Sequence, residues 1–114
     1  MSRPRGCPEK GDIGWLSMNP QRGKEQAGRR PAICLSPAEY NRKVGLAVFC
    51  PISSQKKGYP FEVGIDTSGG IKGVVLADQL KSLDWRERQF ERVGRATDEE
   101  LKTVVSRVLT LIGG

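Results

Sequence analysis

The sequence predicts a mainly β domain with a C-terminal helix, arranged as a small, partly open barrel against which the helix packs. Three observations predict it. Apolar residues fall in short runs of roughly five, separated by Gly, Pro and Asn punctuation, which is the signature of strands rather than helices. One stretch near the C-terminus, by contrast, repeats its apolar residues at helical spacing. The 114-residue chain, 37% hydrophobic and 28% charged, has material for one modest core and little room for a second domain.

The elements follow in chain order. Residues 1–10 read as a flexible tail and 11–114 as a single domain. Gly11-Asp12 opens a first strand, Ile13 to Met18, with Trp15 and Leu16 on opposite faces, and Asn19-Pro20 ends it. Gln21 to Arg29 is polar and aperiodic, a long exposed loop of the kind that is more often functional than idle. Pro31 forces Arg30 into extended geometry, and Ala32 to Leu35 reads as a buried strand closed by Ser36-Pro37. Pro37 to Asn41 fits one helical turn.

Leu46 to Cys50 is short and continuously apolar, which suits a central strand, and Pro51 stops it. Ser53 to Gly58 is a polar loop. Pro60 to Ile65 alternates, with Phe61, Val63 and Ile65 on one face. After a turn at Thr67 to Gly70, Gly73 to Ala77 is a further strand, Asp78 to Leu83 continues the sheet, and Asp84 to Phe90 holds a short helix. Thr97 and Glu100 form a capping box for the terminal helix. Leu101, Val104, Val105, Val108, Leu111 and Ile112 line its apolar face, and Gly113 supplies the stop. Five or six strands and one terminal helix result, with no internal repeat.

Charge and composition bound the function. A net charge of +6 and a pI of about 9.6 favour an anionic partner, although that charge is also ordinary for a small soluble domain. No apolar run approaches the roughly 20 residues that span a bilayer, and the N-terminus has no signal-like apolar segment. Three cysteines without a Cys-x-x-Cys pair suit a reduced cytoplasm. Cys34 and Cys50 read as small core residues, and Cys7 as a free thiol in the tail. There is no histidine, so imidazole acid–base chemistry and His metal ligands are excluded.

The stretch from Glu25 to Pro37 draws the eye. Glu25, Arg29 and Arg30 crowd a turn at Gly28, where a flexible loop gives access and a strand gives position. A guanidinium there suits phosphate, because its planar fork holds two oxygens and stays charged. On the residues alone, the favoured reading of Glu25 with Arg30 is a hairpin salt bridge, and that of Ser53 a turn hydroxyl. Lys24, Arg29, Lys56 and Lys57 form either a phosphate-tracking rim or a solvated face. Trp15 and Trp85 read as core.

Six motifs in order, Gly11-Asp-Ile, Glu25-Gln-Ala-Gly-Arg-Arg-Pro-Ala, Leu35-Ser-Pro, Cys50-Pro-Ile-Ser-Ser-Gln, Gly58-Tyr-Pro-Phe-Glu-Val and Val75-Leu-Ala-Asp-Gln-Leu-Lys-Ser, resemble the MazF/PemK toxins. These are sequence-specific endoribonucleases of bacterial toxin–antitoxin pairs, and the resemblance runs from about Gly11 to Gly113. It implies an SH3-like barrel of the MazF/CcdB kind, a homodimer, cleavage of single-stranded RNA without a metal or other cofactor, and an acidic antitoxin of the MazE type. Carried over by position, it implies Arg30, Ser53 and Glu25 as catalytic residues. Lys24, Gln26, Arg29, Gln55, Lys56, Lys57 and Gln79 are then the expected RNA-binding residues. Serine stands at 53 where the family usually has threonine, and Arg29 occupies a variable position.

The implied chemistry is attack by the RNA's own 2′-OH, giving 2′,3′-cyclic phosphate and 5′-OH ends. Two other readings compete. A CcdB-like toxin would trap a protein target such as DNA gyrase without catalysis, since fold alone does not separate the two. A basic SH3-like adaptor would leave the Glu25–Arg30 pair without a purpose.

Overall fold

The computed structural model describes residues 6–18, 28–67 and 70–113. Seven strands and two helices follow one another as β1 (Asp12–Ser17), β2 (Arg29–Cys34), α1 (Ala38–Val44), β3 (Leu46–Ser53), β4 (Glu62–Asp66), β5 (Lys72–Leu76), β6 (Lys81–Asp84), β7 (Glu91–Arg95) and α2 (Asp98–Ile112). The strands run β4-β5-β3-β2-β1-β7 across one curved antiparallel sheet, and β6 pairs with the first half of β3. The mainly β class with a terminal helix is as expected.

Alternation along the central strands explains the two cores. Ile13 of β1, Ile33 of β2 and Cys50 and Ile52 of β3 face one side, where α2 closes over them with Val104, Leu101 and Val108. Leu16, Ala32, Cys34, Ala47 and Phe49 face the other, covered by Ala38, Trp85 and Phe90. The Trp85 indole N–H donates to the Asn41 carbonyl at 2.9 Å, so its polar edge is satisfied within the core. Helix α2 begins on the capping box read from sequence: Thr97 Oγ1 accepts from the Glu100 amide, and the Glu100 carboxylate accepts from the Thr97 amide. It ends on Gly113 in the left-handed region, φ 78°.

Four expectations differ. Pro51 does not stop β3, which continues to Ser53. Pro51 sits where the outer neighbour of β3 changes from β6, ending opposite Phe49, to β5, starting opposite Ile52, so no residue of either strand is paired against it. Residues 84–90 form no helix: the Asp84 carboxylate accepts from the Arg86 and Glu87 amides and holds a tight turn that leaves by Gln89 at φ 53°. That turn delivers a strand absent from the sequence reading, β7. Helix α1 runs two turns rather than one. Cys7 and Pro8, read as tail, are buried, and Cys7 joins the second core.

Strand β7 pairs antiparallel with β1, packs Val93 on the first core and is tied down further by charge. Asp12 is 0% exposed, accepts from Arg95 at 2.7 Å and from Arg92 at 3.1 Å, and takes a third bond from the Glu9 amide.

Candidate nucleic-acid interface

The site begins with the alternation of β2. Arg29 pairs in register with Ser17 and Arg30 with Leu16, so the adjacent arginines leave the strand on opposite faces. The exposed Arg30 lines a cleft of about 220 Å³ with an apolar floor of Leu16, Pro31, Phe49 and Leu83. Gln79 and Lys81 line the same cleft. Its guanidinium also donates to the Arg29 carbonyl at 3.1 Å. A rigid apolar floor rimmed by a guanidinium, an amide and an ammonium suits a ligand with a flat apolar body and anionic groups.

Ser53 closes β3 on the same face as Pro51 and Phe49. Its backbone lies hard against β5: a Cβ on Gly73 would overlap the Ser53 carbonyl, so only glycine allows this approach. The Ser53 hydroxyl accepts from the Gln55 amide at 3.0 Å, a serine turn that sets the start of the 53–58 loop. Gln55, Lys56 and Lys57 follow on that loop, all exposed. The Glu62 carboxylate fixes the loop's far end by accepting from the Lys57 and Gly58 amides at 2.9 and 2.8 Å. Lys56 lines a second depression, with Lys72 and Asp66, on the β4–β5 side rather than the Arg30 cleft.

Arg29 turns away from the cleft. Its guanidinium donates to Ser17 Oγ at 3.1 Å and to the carbonyls of Trp15 at 3.3 Å and Gln89 at 2.9 Å, and lies 3.6 Å from the Glu91 carboxylate. Lys24, Glu25 and Gln26 lie outside the described residues. The structure therefore brings Arg30 and Gln79 together, sets Ser53 on the neighbouring strand, and places Arg29 elsewhere.

Cys34 and Cys50 are not candidate nucleophiles. Burial pushes the Cys34 thiol up to about 11 and the Cys50 thiol up to about 12, far from the thiolate needed at neutral pH. Among the described residues no group of three His, Cys, Asp or Glu is placed to hold a metal ion, and no helix is long and apolar enough to cross a membrane.

The family model for PemK-like, MazF-like toxins of type II toxin–antitoxin systems matches residues 9–112. The chain belongs to this family. It is 46% identical over 110 residues to the endoribonuclease toxin MazF of Escherichia coli K12, covering 96% of this chain and 97% of that one. Against endoribonuclease PemK of Escherichia coli the identity is 32% over 114 residues, with 96% and 86% covered. The crystal structure of MazF from Deinococcus radiodurans superposes with a TM-score of 0.83 at 47% identity, covering 95% of this chain and 98% of that one. A MazE–MazF structure from the same organism gives 0.83 at 43% identity, covering 94% and 96%.

In this MazF-like toxin two features in and near the Gln79 segment escaped the sequence reading. Lys81 lines the cleft beside Gln79, and period-two alternation from Gln79 would have placed it there. The Tyr59 hydroxyl donates to Asp78 at 2.9 Å, and that bond raises its pKa. It ties the 53–60 loop to the segment that carries Gln79, a contact between distant residues with no local signal.

Proposed function

We propose that this MazF-like toxin is a sequence-specific endoribonuclease that cuts single-stranded RNA by internal attack of the 2′-OH. The observation that carries the reading is the convergence of Arg30, Gln79 and Lys81 on one apolar-floored cleft at a rigid strand end. Transesterification needs charge stabilisation at phosphorus, and a guanidinium fixed on β2 supplies it with two donors. Ser53 bonds the phosphate or the 2′-OH, and Glu25 serves as the loop carboxylate that helps move the proton. Lys24, Gln26, Gln55, Lys56, Lys57 and Gln79 track the strand, with the +6 charge speeding encounter.

The toxin works as a homodimer in the cytoplasm and is checked by an acidic antitoxin of the MazE type. The MazE–MazF structures of Deinococcus radiodurans support the antitoxin. The apolar end of α2, where Ile112 is 66% exposed beside Leu109 and Leu111, supports a second copy.

The test is incubation of the purified toxin with a long unstructured RNA in buffer without added metal, beside the Arg30→Ala protein. Discrete fragments from the first and intact RNA from the second, at equal thermal stability, are expected. Intact RNA from both, or equal cutting by both, overturns the reading.

A further inference from the structure

The strand alternation that presents Arg30 to the cleft sends Arg29 to the opposite face, and there both terminal nitrogens of its fork find partners from other parts of the chain. Ser17 Oγ and the Trp15 carbonyl belong to β1, the Gln89 carbonyl to the 84–89 turn, and the Glu91 carboxylate to β7. The Arg29 side chain is only 20% exposed, against 71% for Glu91. A phosphate-binding arginine keeps its fork open to solvent. This one spends it on the protein.

The partners lie at the stem of the 19–27 segment. The Met18 amide donates to the Gly28 carbonyl at 2.7 Å and the Ser17 amide to the Arg88 carbonyl at 2.8 Å. Arg88 returns the contact, donating to the Ser17 and Met18 carbonyls at 3.1 and 3.0 Å. The 84–89 turn on which the stem leans is itself fixed. Asp84 caps it, buried Trp85 anchors it to Asn41, and Gln89 holds φ 53°, a conformation uncommon outside glycine. The same turn residue, Gln89, offers Arg29 its carbonyl.

We infer that Arg29 is a positioning residue: it clamps the stem of the 19–27 segment and the start of β2 to the 84–89 turn, and so fixes the backbone from which Arg30 reaches the scissile phosphate. The inference rests on the nuclease reading for its catalytic consequence, not for the clamp. Misplacing a catalytic group by about 1 Å can cost on the order of 10²-fold in rate. Loss of the clamp therefore lowers kcat and leaves RNA affinity unchanged.

Arg29→Met keeps the aliphatic stem and removes the fork. Three quantities are read on it: amide hydrogen exchange at Ser17 and Met18, kcat and KM on a short cleavable RNA, and the salt slope of RNA binding. Faster exchange at both amides, kcat down about 10- to 100-fold, KM within twofold and an unchanged slope are expected, with Arg29→Lys intermediate. Unchanged exchange overturns the clamp. A raised KM with kcat intact, or a salt slope shallower by about 0.7, makes Arg29 a phosphate contact and also overturns it. If Arg29→Met does not fold, Ser17→Ala removes one arm of the clamp and carries the same readouts with smaller shifts. If the wild-type toxin cuts no RNA, the nuclease reading fails, while the exchange data still decide the clamp.

Discussion

Arg30 and Ser53 lie just beyond one paired position of neighbouring strands: Ala32 of β2 pairs with Pro51 of β3, the last pair of that ladder, and each of the two stands two residues past it. Directly opposed residues of antiparallel strands share a face, with Cβ atoms about 5 Å apart. Period-two alternation puts Arg30 on the Ala32 face and Ser53 on the Pro51 face, so the guanidinium and the hydroxyl leave two neighbouring strands on one side of the sheet.

That relationship makes the two groups separable in their effects. Arg30→Lys keeps the charge and loses the fork, so it is expected to cut poorly, close to the alanine protein. Ser53→Ala is expected to lose about 10²-fold in kcat, the usual cost of one positioned catalytic hydrogen bond. Ser53→Thr restores a hydroxyl and retains activity. Single-turnover cleavage of one short RNA measures all three. Wild-type rates from Ser53→Ala would leave the hydroxyl a structural role in its two bonds with the Gln55 backbone.

Salt dependence isolates the loop lysines. Lys56 and Lys57 are exposed, and the fold uses the Lys57 backbone amide rather than its side chain. Replacing both by alanine is expected to leave stability unchanged and to flatten the slope of log affinity against log salt by up to about 0.7 per lost contact. Cleavage-end mapping on a long RNA is expected to give the same word. A changed word would assign base reading to these residues.

The buried Asp12 gives a stability prediction with a built-in asymmetry. Its two arginine partners are 47% and 43% exposed in their side chains, whereas Asp12 itself is 0% exposed. Removing the acid leaves cations that water can solvate, so Asp12→Asn is expected to cost about 1–3 kcal/mol. Removing both cations strands a carboxylate in the interior, so Arg92→Met with Arg95→Met is expected to cost about 3–5 kcal/mol. Urea midpoints at constant slope compare the two. Equal losses would mean that the carboxylate stays hydrated through the Glu9 side.

What was legible in the sequence divides along physical lines. Helix α2 was readable because its signals are local: Thr97 and Glu100 at capping spacing, apolar residues every third or fourth position, and Gly113 after the last turn. The β1–β2–β3 centre was readable because burial on both faces writes continuous apolar runs. Strand β7 was not, because Glu91-Arg-Val-Gly-Arg95 carries one large apolar side chain and takes its place from pairing with β1 and from the bonds of Arg92 and Arg95 to Asp12, about eighty residues away in sequence. The 84–90 turn looked helical because Trp-Arg-Glu-Arg-Gln-Phe has good helix formers, yet Asp84 and the anchoring of Trp85 outweigh propensity. The adjacent arginines were read as one patch, although Pro31 had already declared an extended strand. An extended strand must send Arg29 and Arg30 to opposite faces.

The last prediction concerns the nucleophile. A 2′-OH is held beside the phosphorus by the RNA itself, so its attack is intramolecular and strongly favoured over attack by free water. The chain has no histidine, and the buried Cys34 and Cys50 thiols, pushed up to about 11 and about 12, are protonated at neutral pH. On the proposed mechanism the protein's task is to settle charge on the phosphoryl oxygens through Arg30 and to ease two proton movements, not to supply the attacking atom. The expected products carry 2′,3′-cyclic phosphate and 5′-OH ends, and activity is expected to persist in EDTA. A single 2′-deoxy nucleotide just upstream of the scissile phosphate is expected to block cutting while binding stays within a fewfold, because one hydroxyl is removed and every phosphate remains. End analysis by enzymatic labelling and mass spectrometry reads the products directly. Fragments bearing 5′-phosphate, or efficient cutting of the deoxy-substituted RNA, would show that water attacks and that Arg30 serves a different transition state.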